Sequence, residues 1–164
     1  MAVRRVWIAL GSFAGLAVLI QFVPISVENG PVSQGPDWDS AETAELAERA
    51  CFDCHSNQVK VPWYGHIAPV KWVVAHHVDE GREYMNLSEM DKPQKEAHEA
   101  GEELEEGHMP PDYYLRMHPE ARLTDAEKAT LVAGLNATLG GGHHGHDADS
   151  DHAVDEDHAV DEGH

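Results

Sequence analysis

The sequence predicts an all-α fold, and three observations carry that prediction. Apolar residues recur at three- and four-residue steps through the middle of the chain. No segment alternates with the two-residue period of a strand, and helix-capping signals stand in front of the periodic runs. The same reading divides the chain into an N-terminal apolar segment at 1–27, a linker at 28–38, one helical domain at 39–139 and a low-complexity tail at 140–164.

Arg4 and Arg5 precede an apolar run from Val6 to Ile20 that continues, interrupted by Gln21 and Pro24, to Val27. Basic residues followed by an apolar core are the layout of an export signal. The stretch Phe22 to Glu28 offers no good Ala-x-Ala cleavage site. The run also approaches the ~20 residues that a bilayer span takes. An uncleaved transmembrane anchor is therefore expected, with Arg4 and Arg5 retained on the cytoplasmic side and the rest of the chain on the periplasmic side of the inner membrane. Residues 28–37 are rich in Gly, Pro and Ser and read as a spacer holding the domain off the membrane.

Roughly a hundred residues between spacer and tail suffice for one small domain. Its first helix is expected to start at Asp39 or Ser40, with Glu42 completing an Asp39-x-x-Glu42 cap. Ala44, Ala47, Cys51 and Cys54 would then share a face. A second helix is predicted from Pro69 to Arg82, with Val70, Val73, Val74, His77 and Val78 as its buried stripe. A third, highly charged segment opens at Ser88 or Pro93 and ends near Gly107. Leu104 is its sole large apolar residue beyond Met90, so it is expected to be mostly solvated. Thr124-x-x-Glu127 is a capping box for the last helix, with Val132, Leu135 and Leu139 facing the core.

Chemistry concentrates at Cys51-Phe52-Asp53-Cys54-His55. Cys-x-x-Cys-His is the attachment signature of a c-type haem. Two thiols at this spacing can each add to one haem vinyl group, and the following histidine can offer an imidazole nitrogen to the iron. These are the chain's two cysteines. A structural zinc site would need about four ligands, and its second half could come only from scattered histidines. A thioredoxin-like pair would expect a βαβ context, which the sequence lacks. A plain disulfide would not require His55.

The other face of the iron needs a ligand if the haem is to carry electrons, and Gly107-His108-Met109-Pro110-Pro111 is the best candidate. A thioether ligand raises the potential relative to a second nitrogen donor, and the flanking prolines restrict the backbone that carries the sulfur. His55 and Met109 are thus the expected iron ligands. His108, His76, His77, His66 and His118 are the competitors. The loop Val59 to Trp63 could supply a carbonyl to the second nitrogen of His55. Trp63, Tyr64, Trp72, Tyr113 and Tyr114 either line the haem edge or serve as ordinary packing.

The formal charge is −19, with 30 acidic against 11 basic residues. Nucleic acid and anionic membrane surfaces are poor partners for such a chain. A redox protein with a basic docking face is a better one, because complementary charge speeds encounter. Beyond Gly140 a Asp-His-Ala-Val-Asp-Glu repeat follows His143-His144-Gly145-His146. This composition expects a disordered tail that either solvates the chain or binds transition metals loosely.

Cys51 to Asn57, Pro62-Trp63-Tyr64, Ile67-Ala68-Pro69 and Trp72 resemble, in order, the motifs of the bacterial haem-binding domain family of small exported monohaem proteins. Gly81-Arg82, Asn86 to Glu89, Met109-Pro110-Pro111, Tyr114, His118 to Ala121 and Leu123-Thr124 continue the resemblance, which covers about Ala47 to Leu139. It implies a cytochrome c-like helical fold, one haem c per chain on Cys51 and Cys54, His55 as ligand and Met109 at the Met-Pro position. It implies no reaction. The expected role is a membrane-anchored electron carrier. The alternatives are a haem-based sensory module with an open or weakly held sixth site, or a peroxidase-like enzyme, for which no acid–base arrangement is readable in the sequence.

Overall fold

A computed structural model describes residues 2–140, so residues 141–164 of the expected tail lie outside the described residues. Seven α-helices are described: α1 Ala2–Leu19, α2 Ala41–Ala50, α3 Phe52–His55, α4 Val70–Tyr84, α5 Ala100–Glu106, α6 Asp112–Met117 and α7 Asp125–Leu139. Short 3₁₀ turns at Ile20–Phe22, Trp63–His66, Ala97–Glu99 and Pro119–Ala121 join them. The described residues contain no strand, and extended backbone pairs once, in an isolated parallel bridge between Gln34 and Glu89. The all-α expectation is met.

Ser40, rather than Asp39, caps α2. Its hydroxyl accepts the Thr43 N–H at 3.1 Å, which satisfies an amide the first helical turn leaves without a partner. The helix buries Thr43, Leu46 and Ala47 and ends at Cys51, where the chain breaks before the single turn of α3. At α7 the capping box is complete: the Thr124 hydroxyl accepts the Glu127 N–H, and the Glu127 carboxylate accepts the Thr124 N–H at 2.7 Å.

α7 is the centre of the core. Leu131, Leu135 and Leu139 pack with Leu46 and Ala47 from α2, Leu104 from α5, and Met85, Leu87 and Ala97 from the connections. Val132, expected on this face, packs at its edge, and Leu131 occupies the core position. The charged third segment is less solvated than expected, since Ala97, Gly101 and Leu104 are buried against α7. Two small residues and one leucine suffice because α5 lies close to α7. A Cβ at Gly101 would stand 3.1 Å or less from three atoms of the Asn136 side chain. The helix ends at Gly107, whose left-handed φ of 81° suits glycine.

The spacer lies along the domain. Asn29 and Val59 exchange two hydrogen bonds, the Ser33 N–H donates to the Ser88 carbonyl at 2.9 Å, and Met90 N–H donates to Gln34 O at 2.9 Å. Arg82 clamps it: its guanidinium donates to the carbonyls of Ser56 and Glu28 and to the Asn29 side chain. Beneath it, buried Asn57, Asn86 and Ser88 satisfy one another. Asn86 Nδ2 donates to Asn57 Oδ1, Ser88 N to Asn86 Oδ1, and Asn57 N to Ser88 Oγ. This network welds the loop after α3 to the loop after α4.

Candidate haem site

α3 is positioned by its packing on α4, whose buried residues are Ala75, Val78 and Gly81. Of the expected stripe Val70, Val73, Val74, His77 and Val78, only Val78 is buried. Val70 and Val73 are exposed, and with Val74 and His77 they line a cavity beside α6. Close approach to α3 selects small residues instead. A Cβ on Gly81 would meet the Cys54 carbonyl oxygen at 2.8 Å.

That contact places His55. Its Nδ1 lies 2.9 Å from the Gly81 carbonyl and 3.2 Å from the Met85 carbonyl. A carbonyl only accepts, so Nδ1 carries the proton and Nε2 keeps its lone pair, the tautomer a metal ligand requires. Burial lowers the His55 pKa, against the opposing pull of these two carbonyls, and favours the neutral ring. The orienting carbonyls come from the end of α4, not from the Val59–Trp63 loop suggested by the sequence. Their signal was present in the pattern as Gly81, a glycine inside a helical run.

Cys51 and Cys54 are unpaired thiols. Burial and the neighbouring Cys54 raise Cys51 to about 12, while burial and Asp53 raise Cys54 to about 11 against the pull of Arg82. Both thiols therefore stay protonated at neutral pH in the absence of a bound metal. Among the described residues no group of three or more His, Cys, Asp or Glu is placed to hold a metal ion.

Cys51, Cys54 and His55 open onto an apolar cavity of about 280 Å³ that Leu104, Met109 and Pro110 also line. Met109 thus shares a cavity with the motif, its backbone tied to Glu103 by a 3.1 Å hydrogen bond. The valine-lined cavity, of about 190 Å³, shares Asp53, Cys54, Pro111 and Tyr114 with the first. The two together fall in the range of roughly 300–1,000 Å³ usual for ligand and cofactor sites.

Among the histidines of the described residues, His55 alone lines the first cavity, whereas His77 and His118 line the second. His118 is engaged elsewhere. It stacks on Tyr114 with ring centroids 4.1 Å apart, its Nδ1 lies 3.1 Å from Glu120, and its Nε2 lies 2.8 Å from the Tyr64 hydroxyl. His108 is exposed and faces the carboxylates of Glu103 and Glu106, each at 3.3 Å. His66 and His76 are exposed. Among the aromatic residues singled out by sequence, Tyr114 lines both cavities and Tyr64 and Tyr113 the second, while Trp63 and Trp72 line neither. Tyr114 donates its hydroxyl to Asp53 inside the motif at 2.9 Å. Burial, then the Asp53 charge, hold its pKa well above the ordinary phenol value.

A family model described as a haem-binding domain matches residues 15–137. The chain belongs to the haem-binding domain family. Neither the curated proteins nor the solved structures searched give a match. The site fits the group this haem-binding domain is built to hold, since a neutral oriented imidazole, a thioether and two protonated thiols border one apolar space.

Proposed function

We propose that this haem-binding domain is an exported, membrane-anchored monohaem c-type cytochrome that transfers single electrons. Cys51 and Cys54 would carry the thioether links, with His55 and Met109 as axial ligands. The observation that supports this reading most is that Met109 borders the same cavity as both cysteines and His55. When bound, the haem iron supplies a one-electron ferric–ferrous couple. The chain's own residues set its surroundings. Gly81 and Met85 hold the His55 ring through Nδ1, Leu104 and Leu135 keep the cavity apolar, and Glu103 fixes the backbone of Met109. The acidic surface favours a redox partner with a basic docking face. Helix α1 with its 3₁₀ turn, Ala2–Phe22, is long and apolar enough to cross a membrane and has no buried residue, which supports anchoring; Arg4 and Arg5 at its start favour the domain on the periplasmic side.

A second reading, a sensory module with an open sixth site, is favoured by the 42% exposure of Met109. One experiment separates the two. Absorption spectra of the wild type and Met109→Ala are taken in both oxidation states with and without carbon monoxide. The carrier reading expects the wild type to resist the gas and the variant to take it up. Uptake by both would favour the sensor, and absence of thioether-bound haem would remove both readings.

A further inference from the structure

The end of α1 is not free of the domain. Gln21 and Ala68 form a reciprocal pair: the Ala68 N–H donates to Gln21 Oε1 at 3.0 Å, and Gln21 Nε2 donates to the Ala68 carbonyl at 3.2 Å. Beside it, the Lys71 ammonium donates to the carbonyls of Gln21 and Val23 at 2.8 and 2.9 Å. Four hydrogen bonds therefore fix Ala68 and the first turn of α4 at the level where the apolar helix ends. Ala2–Phe22 would be about 30 Å long at ~1.5 Å per residue, the thickness of a bilayer core. Gln21 and Ala68 then lie at the membrane–water boundary.

The surface at that level is apolar. Trp63 is 76% exposed and Ile67 47%, although the Trp63 ring meets Tyr64 edge-on at 5.8 Å. Val70 is exposed next to them, and Phe22, Val23 and Ile25 are exposed on the chain leaving α1. Charge follows the same division. The chain carries 30 acidic residues, yet none lies between Asp53 and Asp79, and none precedes Glu28. The two segments that meet at the Gln21–Ala68 pair are both free of acidic residues. Lys71 sits among them with its amine on the carbonyls of Gln21 and Val23. Tryptophan is the residue most at home in that layer.

We propose that the domain lies on the lipid surface, with Trp63 and Ile67 inserted into the interfacial layer and the Gln21–Ala68 pair as the bracket that sets its tilt. The partner is the bilayer in which α1 sits, so the inference rests on the anchored reading above. The docked face is distinct from the motif, since Trp63 and Ile67 line neither cavity. It leaves the acidic remainder of the domain turned to the aqueous side.

The test uses the full chain in phosphatidylcholine nanodiscs containing a lipid with a diazirine in the upper part of its acyl chain. After photolysis, labelled peptides are mapped by mass spectrometry. The proposal expects label on residues 63–70 as well as on the anchor. Trp63→Ser with Ile67→Ser should reduce label on 63–70 several-fold while label on the anchor stays. Gln21→Ala, which leaves the inserting side chains in place, should reduce it too. Helix content by circular dichroism identifies any variant that has unfolded. Label on the anchor without label on 63–70 would overturn the docking and leave the anchored reading standing. No label on either segment would overturn both.

Discussion

The His55 ring and the Gly81 carbonyl, 2.9 Å apart, join the haem motif to the helix that supports it. The bond depends on an approach that only glycine permits, because a Cβ at position 81 would meet the Cys54 carbonyl oxygen at 2.8 Å. The obstructing atom is backbone, so α3 or α4 would have to move. Gly81→Ala is expected to cost about 1–3 kcal/mol, the usual range for overpacking, and to loosen the orientation of His55. Denaturant unfolding measures the first effect. The ratio of haem to protein after expression measures the second, and an unchanged ratio with unchanged stability would contradict this account.

A similar close approach joins α2 to α7. A Cβ on Gly134 would overlap the side chain of Thr43, including Oγ1, Cγ2 and Cβ. Here the obstacle is a side chain, so the cost can be relieved. Gly134→Ala alone is expected to destabilise by about 1–3 kcal/mol. In a Thr43→Ala background the same change should cost much less, because the overlapping atoms are gone. Additive losses in the double-mutant cycle would mean that the helix crossing is set elsewhere.

Position 81 also illustrates what the sequence could disclose. The haem motif, the boundaries of α4 and α7 and the capping box at Thr124 are local patterns, and local patterns are legible because their geometry is fixed within four residues. The face that α4 buries is not local. Its valines are the most apolar residues on the helix, and periodicity alone assigns them to the core. Val78 is buried as that pattern expects, but Ala75 and Gly81 take the other core positions because the neighbouring α3 demands close approach, while Val70, Val73 and Val74 border a cavity. α6 is illegible in the sequence for a related reason. Six residues between prolines carry too short a pattern to register, yet they deliver Tyr113, Tyr114 and Met117 to the cavity walls. The spacer at 28–38 reads as polar and glycine-rich. Its attachment depends on Arg82 and Asn57, far along the chain.

Arg82 holds that spacer through bonds to Ser56 O, Glu28 O and Asn29 Oδ1, at 2.8, 2.8 and 3.1 Å. Arg82→Met keeps most of the stem and removes all three. Hydrogen bonds from a charged donor contribute about 1.5–3 kcal/mol each at most, and this site is partly solvated, so a total loss near the lower figure is expected. The more specific outcome is local. Limited proteolysis should cut the variant between residues 28 and 36, where the wild type is protected. Equal cleavage of both proteins would show that the spacer is held by its remaining bonds alone.

Glu127 gives the domain a defined acid response. Its carboxylate accepts from the Thr124 N–H and hydroxyl and meets Arg49 at 2.6 Å across the α2–α7 contact. The Thr124 backbone bond first, then Arg49 and the Thr124 hydroxyl, depress its pKa from 4.5 to about 2. A group depressed in the folded state stabilises fully above its unfolded pKa, and that contribution is lost as pH falls through the folded value. Stability should therefore decline between about pH 4.5 and pH 2 in part through this residue. Glu127→Gln keeps an oxygen for the capping box and removes the charge that pairs with Arg49. Its unfolding midpoint should lie below that of the wild type at pH 7, and the gap should close as the pH approaches 2. Thermal unfolding followed by circular dichroism across that range would test this, and a gap that stayed constant would locate the acid sensitivity in other carboxylates.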